Sequence, residues 1–261
     1  MQDLLFLLSN NPYYGIASEA VWVVIGCLLP SVSHFLYQRL RVRPRFSQVF
    51  PIDRKRSINC IIPTLENSEF VASEYIDFTT PLEAVVNVQY INTMMGKLNL
   101  KKDRLQVIFS RGASQNDMEQ NVILIGGPIH NSWTNEFIKA KSPKLRFDEF
   151  HLTSDFTQNA YQARIEDNKV VKDYVLFCVT QNPWNSKAKA ILAAGCRGYG
   201  SIGLLKFIEN DDIVALVHKH PNFRRNNELY CVFSFDIHHS GQHTFTFSNL
   251  RCEELTALKG E

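Results

Sequence analysis

Two glycine-rich stretches carry the residue types that could do chemistry. The first is NVILIGGPIHNSWTNEF (121–137) and the second AILAAGCRGYGSIGLLKF (190–207). Each reads as an apolar strand, a glycine loop and a helix. Glycine at the end of a strand lets the chain turn sharply and lets a ligand approach the backbone. The first amides of the following helix, with the positive end of its dipole, favour a phosphate. A third strand end is Ser110-Arg111-Gly112. In open α/β sheets ligands bind beyond the carboxyl ends of the strands. The candidate ligand residues are therefore Ser110, Arg111, Gly112, Gly126, Gly127, Pro128, Asn131, Gly195, Arg197, Gly198, Gly200 and Ser201. Arg111 and Arg197 suit a phosphate, because a guanidinium can bind two oxygens at once. Asn131 could bond a base or ribose, and Ser201 could cap its helix and face the ligand. The alternative is that these glycines only make tight turns and close packing. Neither loop matches the dinucleotide fingerprint in its proper spacing, and GCRGYGS lacks the Gly-Lys-Ser/Thr ending of a P-loop.

No catalytic constellation stands beside these loops. The sequence has no GxSxG elbow, no HExxH and no cysteine with obvious His and Asn partners. Glu136 and Asp155 are isolated carboxylates. No catalytic residue is assigned, and a binding protein is favoured over an enzyme. The six cysteines form no CxxC pair and several lie in apolar runs, which fits reduced, buried thiols. His218, His220, His238, His239 and His243 fall late in the chain, but HKH and HH on strands point to opposite faces. No metal and no cofactor are expected. Trp184, in the turn Gln181–Asn185, could stack on a base, although burial is the commoner fate of a tryptophan.

The elements that must position these loops follow from hydrophobic spacing. Strands are expected at 57–62, 104–109, 121–125, 161–165, 170–171, 174–180, 188–194, 213–218, 229–237 and 244–248. Thr80-Pro81-Leu82-Glu83 is a helix start, with a capping Thr, a proline in the first turn and Glu three residues after the cap. Leu82, Val85, Val86, Ile91, Met94, Met95 and Leu98 then form one apolar helical face. Further helices are expected over 132–141 and 201–208, and a hairpin turn at Ser240-Gly241. Helices alternating with short buried strands predict an α/β, Rossmann-like domain with a largely parallel core sheet and a β-rich C-terminal part.

Charge and hydropathy place this domain. The stretch from Ala17 to Tyr37 is mostly apolar and near the ~20 residues that a helix needs to cross a bilayer. Arg39, Arg41, Arg43 and Arg45 follow it, and no Lys or Arg precedes it, which orients the basic side inward. The expected organisation is an extracytoplasmic segment 1–16, a transmembrane helix 17–38, a basic linker 39–56 and a cytoplasmic α/β nucleotide-sensing domain 57–261. The chain is then a single-pass protein of the cell inner membrane, in contact with membrane lipid. Net charge is +2, with much of the surplus in the linker, so no nucleic-acid surface is indicated.

A span, a basic linker and the strand ends SRG, GGPIHN and GCRGYGS together resemble membrane-tethered sensor–effectors of bacterial antiphage signalling. In these, a Rossmann-like domain of the CARF or SLOG kind binds a nucleotide messenger. The resemblance implies a nucleotide-type ligand, a homo-oligomer and perturbation of the membrane through the transmembrane helices. The alternatives are a membrane-anchored enzyme acting on a nucleotide or nucleotide sugar, and a protein-binding scaffold.

Overall fold

The structure is a computed structural model of the whole chain. It describes residues 47–52, 56–64, 102–141, 144–148, 150–220, 227–240 and 244–259, with 23, 28–33, 37, 88–89, 91–93 and 95–97. The chain divides into two compact units, Met1–Pro44 and Arg45–Glu261.

In the first unit, Val23, 28–33 and Tyr37 are helical, and Val23, Leu28, Leu29, Val32 and Tyr37 are exposed. The expected membrane-spanning helix is overturned. Among the described residues no helix is long and apolar enough to cross a membrane. Glu19, Pro30, Ser31, Ser33 and His34 interrupt the apolar run in the sequence. The rest of 17–38, with 1–16 and 39–46, lies outside the described residues.

Besides two single-turn 3-10 helices at Lys102–Arg104 and Ser110–Gly112, and further helical residues at 47–49, 88–89, 91–93 and 95–97, the described residues of the second unit form eleven strands and four α-helices with defined bounds. In chain order these are β1 (Ile58–Ile62), β2 (Leu105–Phe109), α1 (Gln115–Met118), β3 (Asn121–Ile125), α2 (Ser132–Lys141), β4 (Leu145–Asp148), β5 (His151–Ser154), β6 (Asn159–Gln162), β7 (Arg164–Glu166), β8 (Lys169–Asn182), β9 (Asn185–Gly195), α3 (Gly198–Glu209), α4 (Asp212–Lys219), β10 (Asn227–His239) and β11 (Phe245–Lys259). The main sheet runs β11-β10-β8-β9-β3-β1-β2, with β7 paired to β8, and β4-β5-β6 form a small second sheet.

This corrects the Rossmann-like expectation. Only β2, β1, β3 and β9 are parallel neighbours. Strands β8, β10 and β11 join as antiparallel partners, so the sheet is mixed. Short connections, not helical crossovers, join β8 to β9 and β10 to β11, and a short connection can join neighbouring strands only as antiparallel partners; β10 returns antiparallel to β8 after α3 and α4. The Asn182 side-chain Oδ1 accepts from the Trp184 amide at 2.9 Å, which braces the first turn. In the second, the Ser240 amide donates to Thr244 O at 2.9 Å, at the expected hairpin position.

The strands read as unbroken apolar runs because both sheet faces are covered. On one face Phe177, Val179, Ile191 and Phe233 pack with Leu204, Phe207, Ile213 and Val217 of α3 and α4. Ile91 and Met95, both fully buried, belong to the same cluster and come from the expected helix; its start at Thr80 lies outside the described residues. On the other face Cys178, Leu192 and Val232 pack with Phe137 of α2 and with Leu145, Leu152 and Tyr161 of the small sheet. Each large side chain buried this way contributes about 1.5–3 kcal/mol.

The strand expected at 213–218 is helix α4. Ile213, Val214 and Val217 are its buried residues, at one- and three-residue steps, so packing of one helical face overrides β-branched propensity. Asp211, in the left-handed conformation (φ 68°), separates α4 from α3. Strands β4 and β5, which the expectation missed, are short and half-exposed, with a weak apolar pattern.

Candidate functional site

The parallel strands end on one side of the sheet, and the loops that follow β3 and β9 meet there. Pro63, Gly126, Gly127, Pro128, Ile129 and His130 form one wall of a cleft. Phe150, Gly195, Cys196, Arg197, Gly198 and Ser201 form the other. Counted out to its open mouth, the space is about 420 Å³. Of the residues expected to bind ligand, Gly126, Gly127, Pro128, Gly195, Arg197, Gly198 and Ser201 line this cleft.

The β3 loop is held by its backbone. Gly126 has φ +91°, and a Cβ there would lie 2.5 Å from Pro63 Cγ, so both conformation and space demand glycine. The Gly126 amide donates to Ala193 O at 2.9 Å, which ties the ends of β3 and β9 together. Thr134, in the first turn of α2, donates its hydroxyl to Gly126 O at 3.0 Å.

Asn131 is fully buried beneath this loop. Its side-chain amide donates to Ile125 O at 2.9 Å and to Ile61 O at 3.3 Å, bridging the ends of β3 and β1. Ser110 is buried too, and its hydroxyl lies 3.0 Å from that of Thr64. Thr64 also accepts from the Arg111 amide at 3.0 Å. Arg111 and Gly112 are exposed at the end of the edge strand β2, and they are not among the residues lining the cleft. The sheet order puts β1 and β3 between that edge and β9, so Arg111 and Gly112 stand apart from the β9 loop, while the Ser110 hydroxyl reaches the β3 loop by donating to His130 O at 3.4 Å.

The β9 loop is built around a contact of two glycines. A Cβ on Gly200 would lie 2.5 Å from Gly195 Cα and 2.9 Å from Tyr174 O. Ser201 is buried four residues into α3, where it accepts from the Gly195 amide at 3.4 Å and donates to Ala193 O at 3.2 Å. Arg197 is the N-cap of α3 but makes no side-chain cap. Asp173 of β8, which is fully buried, instead holds the backbone of the N-cap residue itself. Its carboxylate accepts from the Tyr174 amide at 2.8 Å and from the Arg197 amide at 3.2 Å. A buried carboxylate is stable here because the helix N-terminus offers positive dipole and amide donors.

The Arg197 guanidinium lies 3.5 Å over the centre of the Phe150 ring. Such stacking suits the flat guanidinium and fixes its direction. Phe150 comes from the turn between β4 and β5, so the small sheet supplies part of the wall. Beside it Cys196 is no nucleophile. Burial, then the Asp173 charge, holds its thiol well above the ordinary value, against the opposing pull of a Leu152 backbone hydrogen bond and of Arg197.

Sequence reasoning missed Asp173, Phe150 and Pro63. Asp173 had a signal: it is an acidic residue entering the apolar run YVLFCV, where an unpaired charge does not survive burial. Phe150 had none, because its partner lies on another element. Trp184 is half-buried, packed edge-on to Trp133 at 5.7 Å. The late histidines are dispersed: His218 bonds Gln48 Oε1 at 3.0 Å, His238 bonds Ser248 Oγ at 2.6 Å and His239 bonds Val170 O at 2.8 Å. The chain matches no protein-family model and no curated protein.

Proposed function

We propose that the second unit is a sensor domain that binds a nucleotide-type small molecule in the cleft between the β3 and β9 loops. The observation that supports this reading best is the convergence of two glycine-walled strand ends on a stacked, directed guanidinium, Arg197. Arg197 takes the phosphate, and the half-buried Phe150 and the exposed Ile129 offer apolar surface to a base or sugar. The buried, protonated Cys196 and the committed hydroxyl of Ser201 favour binding over turnover. Ligand binding then shifts self-association by its differential affinity for the two states.

The test is titration calorimetry of the full chain with adenosine 5′-phosphate, ADP-ribose and cyclic dinucleotides, followed by sedimentation with and without ligand. Binding that disappears in Arg197→Ala supports the reading. Absence of heat with every probe overturns it. Steady consumption of a probe would move the chain to the enzyme alternative.

A further inference from the structure

Leu28, Leu29 and Val32 of the first unit are helical, yet they remain 56%, 61% and 50% exposed. Their one- and three-residue steps put them on one face of the helix, with Pro30, Ser31 and Ser33 around the rest. Every residue from 28 to 33 is exposed, so the apolar face stays open to the surroundings. A single exposed leucine is ordinary. A row of them on one helical face, with Val23 and Tyr37 exposed before and after it in the chain, marks a contact surface.

The charge that follows in the sequence selects the partner. Arg39, Arg41, Arg43 and Arg45 come next, and no acidic residue occurs between Glu19 and Asp53. Residues 39–56 hold seven basic residues and one acidic, while the whole chain is only +2, so the remainder of the chain is net negative. A second copy would bring four more arginines against these four, and like charges repel. A nucleic acid would satisfy the arginines and leave the aliphatic face in water. An anionic lipid surface meets both needs: its headgroups attract the arginines, and its acyl boundary takes the leucines.

We propose that the helical turn at 28–33 and the arginines after it form a docking surface for anionic lipid, with the apolar face buried at the headgroup boundary and the arginines paired with headgroups. Among the described residues no helix is long and apolar enough to cross a membrane, and a helix lying in the interface needs only one apolar face. The inference goes beyond the cleft reading and does not rest on it.

The test is flotation of the full chain with two kinds of vesicle, phosphatidylcholine alone and equal parts phosphatidylcholine and phosphatidylserine. Apparent affinity is expected to be roughly tenfold or more higher for the anionic vesicles. Raising salt from about 0.1 M to about 0.5 M should release most of the protein, because screening shortens the reach of the arginines. An alkaline carbonate wash should release the rest. Leu29→Gln should weaken binding roughly tenfold through lost apolar burial. Leu29 is exposed, so the thermal midpoint of that variant should match the parent. Arg41→Gln combined with Arg43→Gln should weaken binding roughly tenfold on the anionic vesicles only. Equal affinity for the two vesicles, or none for either, overturns the inference. Undiminished binding by Leu29→Gln also overturns it, because the arginines alone would then be at work. Protein that resists the carbonate wash overturns it too, since it would be inserted and not docked. The comparison of the two vesicles needs no variant, so it decides the matter if a variant does not fold. None of these outcomes bears on ligand binding in the cleft.

Discussion

Asp173 and Arg197 are neighbours across two antiparallel strands: the carboxylate of the first accepts the backbone amide of the second at 3.2 Å, at the point where β9 turns into α3. The same carboxylate accepts the Tyr174 amide at 2.8 Å. Replacing it with alanine leaves buried amides without their acceptor. Asp173→Ala should cost about 2 kcal/mol, read as a lower urea midpoint with little change in slope.

The glycine contact beneath it gives a sharper prediction. Gly200→Ala places a methyl 2.5 Å from Gly195 Cα and 2.9 Å from Tyr174 O, both backbone atoms that cannot swing away. A loss of about 3 kcal/mol is expected from overpacking. Gly112→Ala is the control. Nothing lies within 4 Å of its added Cβ, and its thermal midpoint should stay near that of the parent.

The two arginines expected to bind phosphate should now separate. Arg197 lines the cleft, whereas Arg111 is exposed beyond β2. Arg197→Ala should weaken nucleotide binding about tenfold to a hundredfold, the worth of a charge-assisted hydrogen bond. Arg111→Ala should leave it unchanged by calorimetry. Equal losses would mean that the ligand reaches across β1 and β3.

The small sheet that carries Phe150 is fastened to β11 by one buried carboxylate. Glu254 accepts from the hydroxyls of Ser154 at 2.8 Å, Thr157 at 2.8 Å and Tyr161 at 3.1 Å. Glu254→Ala should destabilise by about 3 kcal/mol and speed amide exchange in β5 and β6 before the main sheet opens.

Alkali should destabilise the fold. Burial, and then the charge of Glu253, pushes the Cys252 thiol from its ordinary 9.0 up to about 11. Burial likewise raises Cys60, Cys178 and Cys231. The folded state holds these protons more tightly than the unfolded state. Their contribution is therefore complete below pH 9.0 and declines as pH rises towards 11 and beyond. Urea midpoints measured from pH 8 to pH 11 should fall through that window, and thiol reagents should label the buried Cys60, Cys178 and Cys231 only on unfolding.

What the amino-acid sequence determined by itself is local. The runs INCII, NVILI and AILAA are strands because short, mostly apolar stretches that end at proline or glycine can be buried on both faces. The glycines after β3 and β9 were legible as strand ends, and those two ends do share a cleft. Only the tertiary structure decided which ends would meet and how the sheet would be ordered. Strand order depends on pairings far apart in the chain, and periodicity within one strand carries no record of its neighbour. That is why a mixed sheet stands where a parallel one was expected, and why Arg111 is set apart from Arg197. It is also why Asn131 and Ser201 hydrogen-bond to backbone carbonyls. Packing alone could turn 213–218 into a helix, through the buried positions Ile213, Val214 and Val217. Asp173 joins the two levels. Its charge beside an apolar run calls for a buried partner, and only the fold supplies it, in the Arg197 amide where β9 turns into α3.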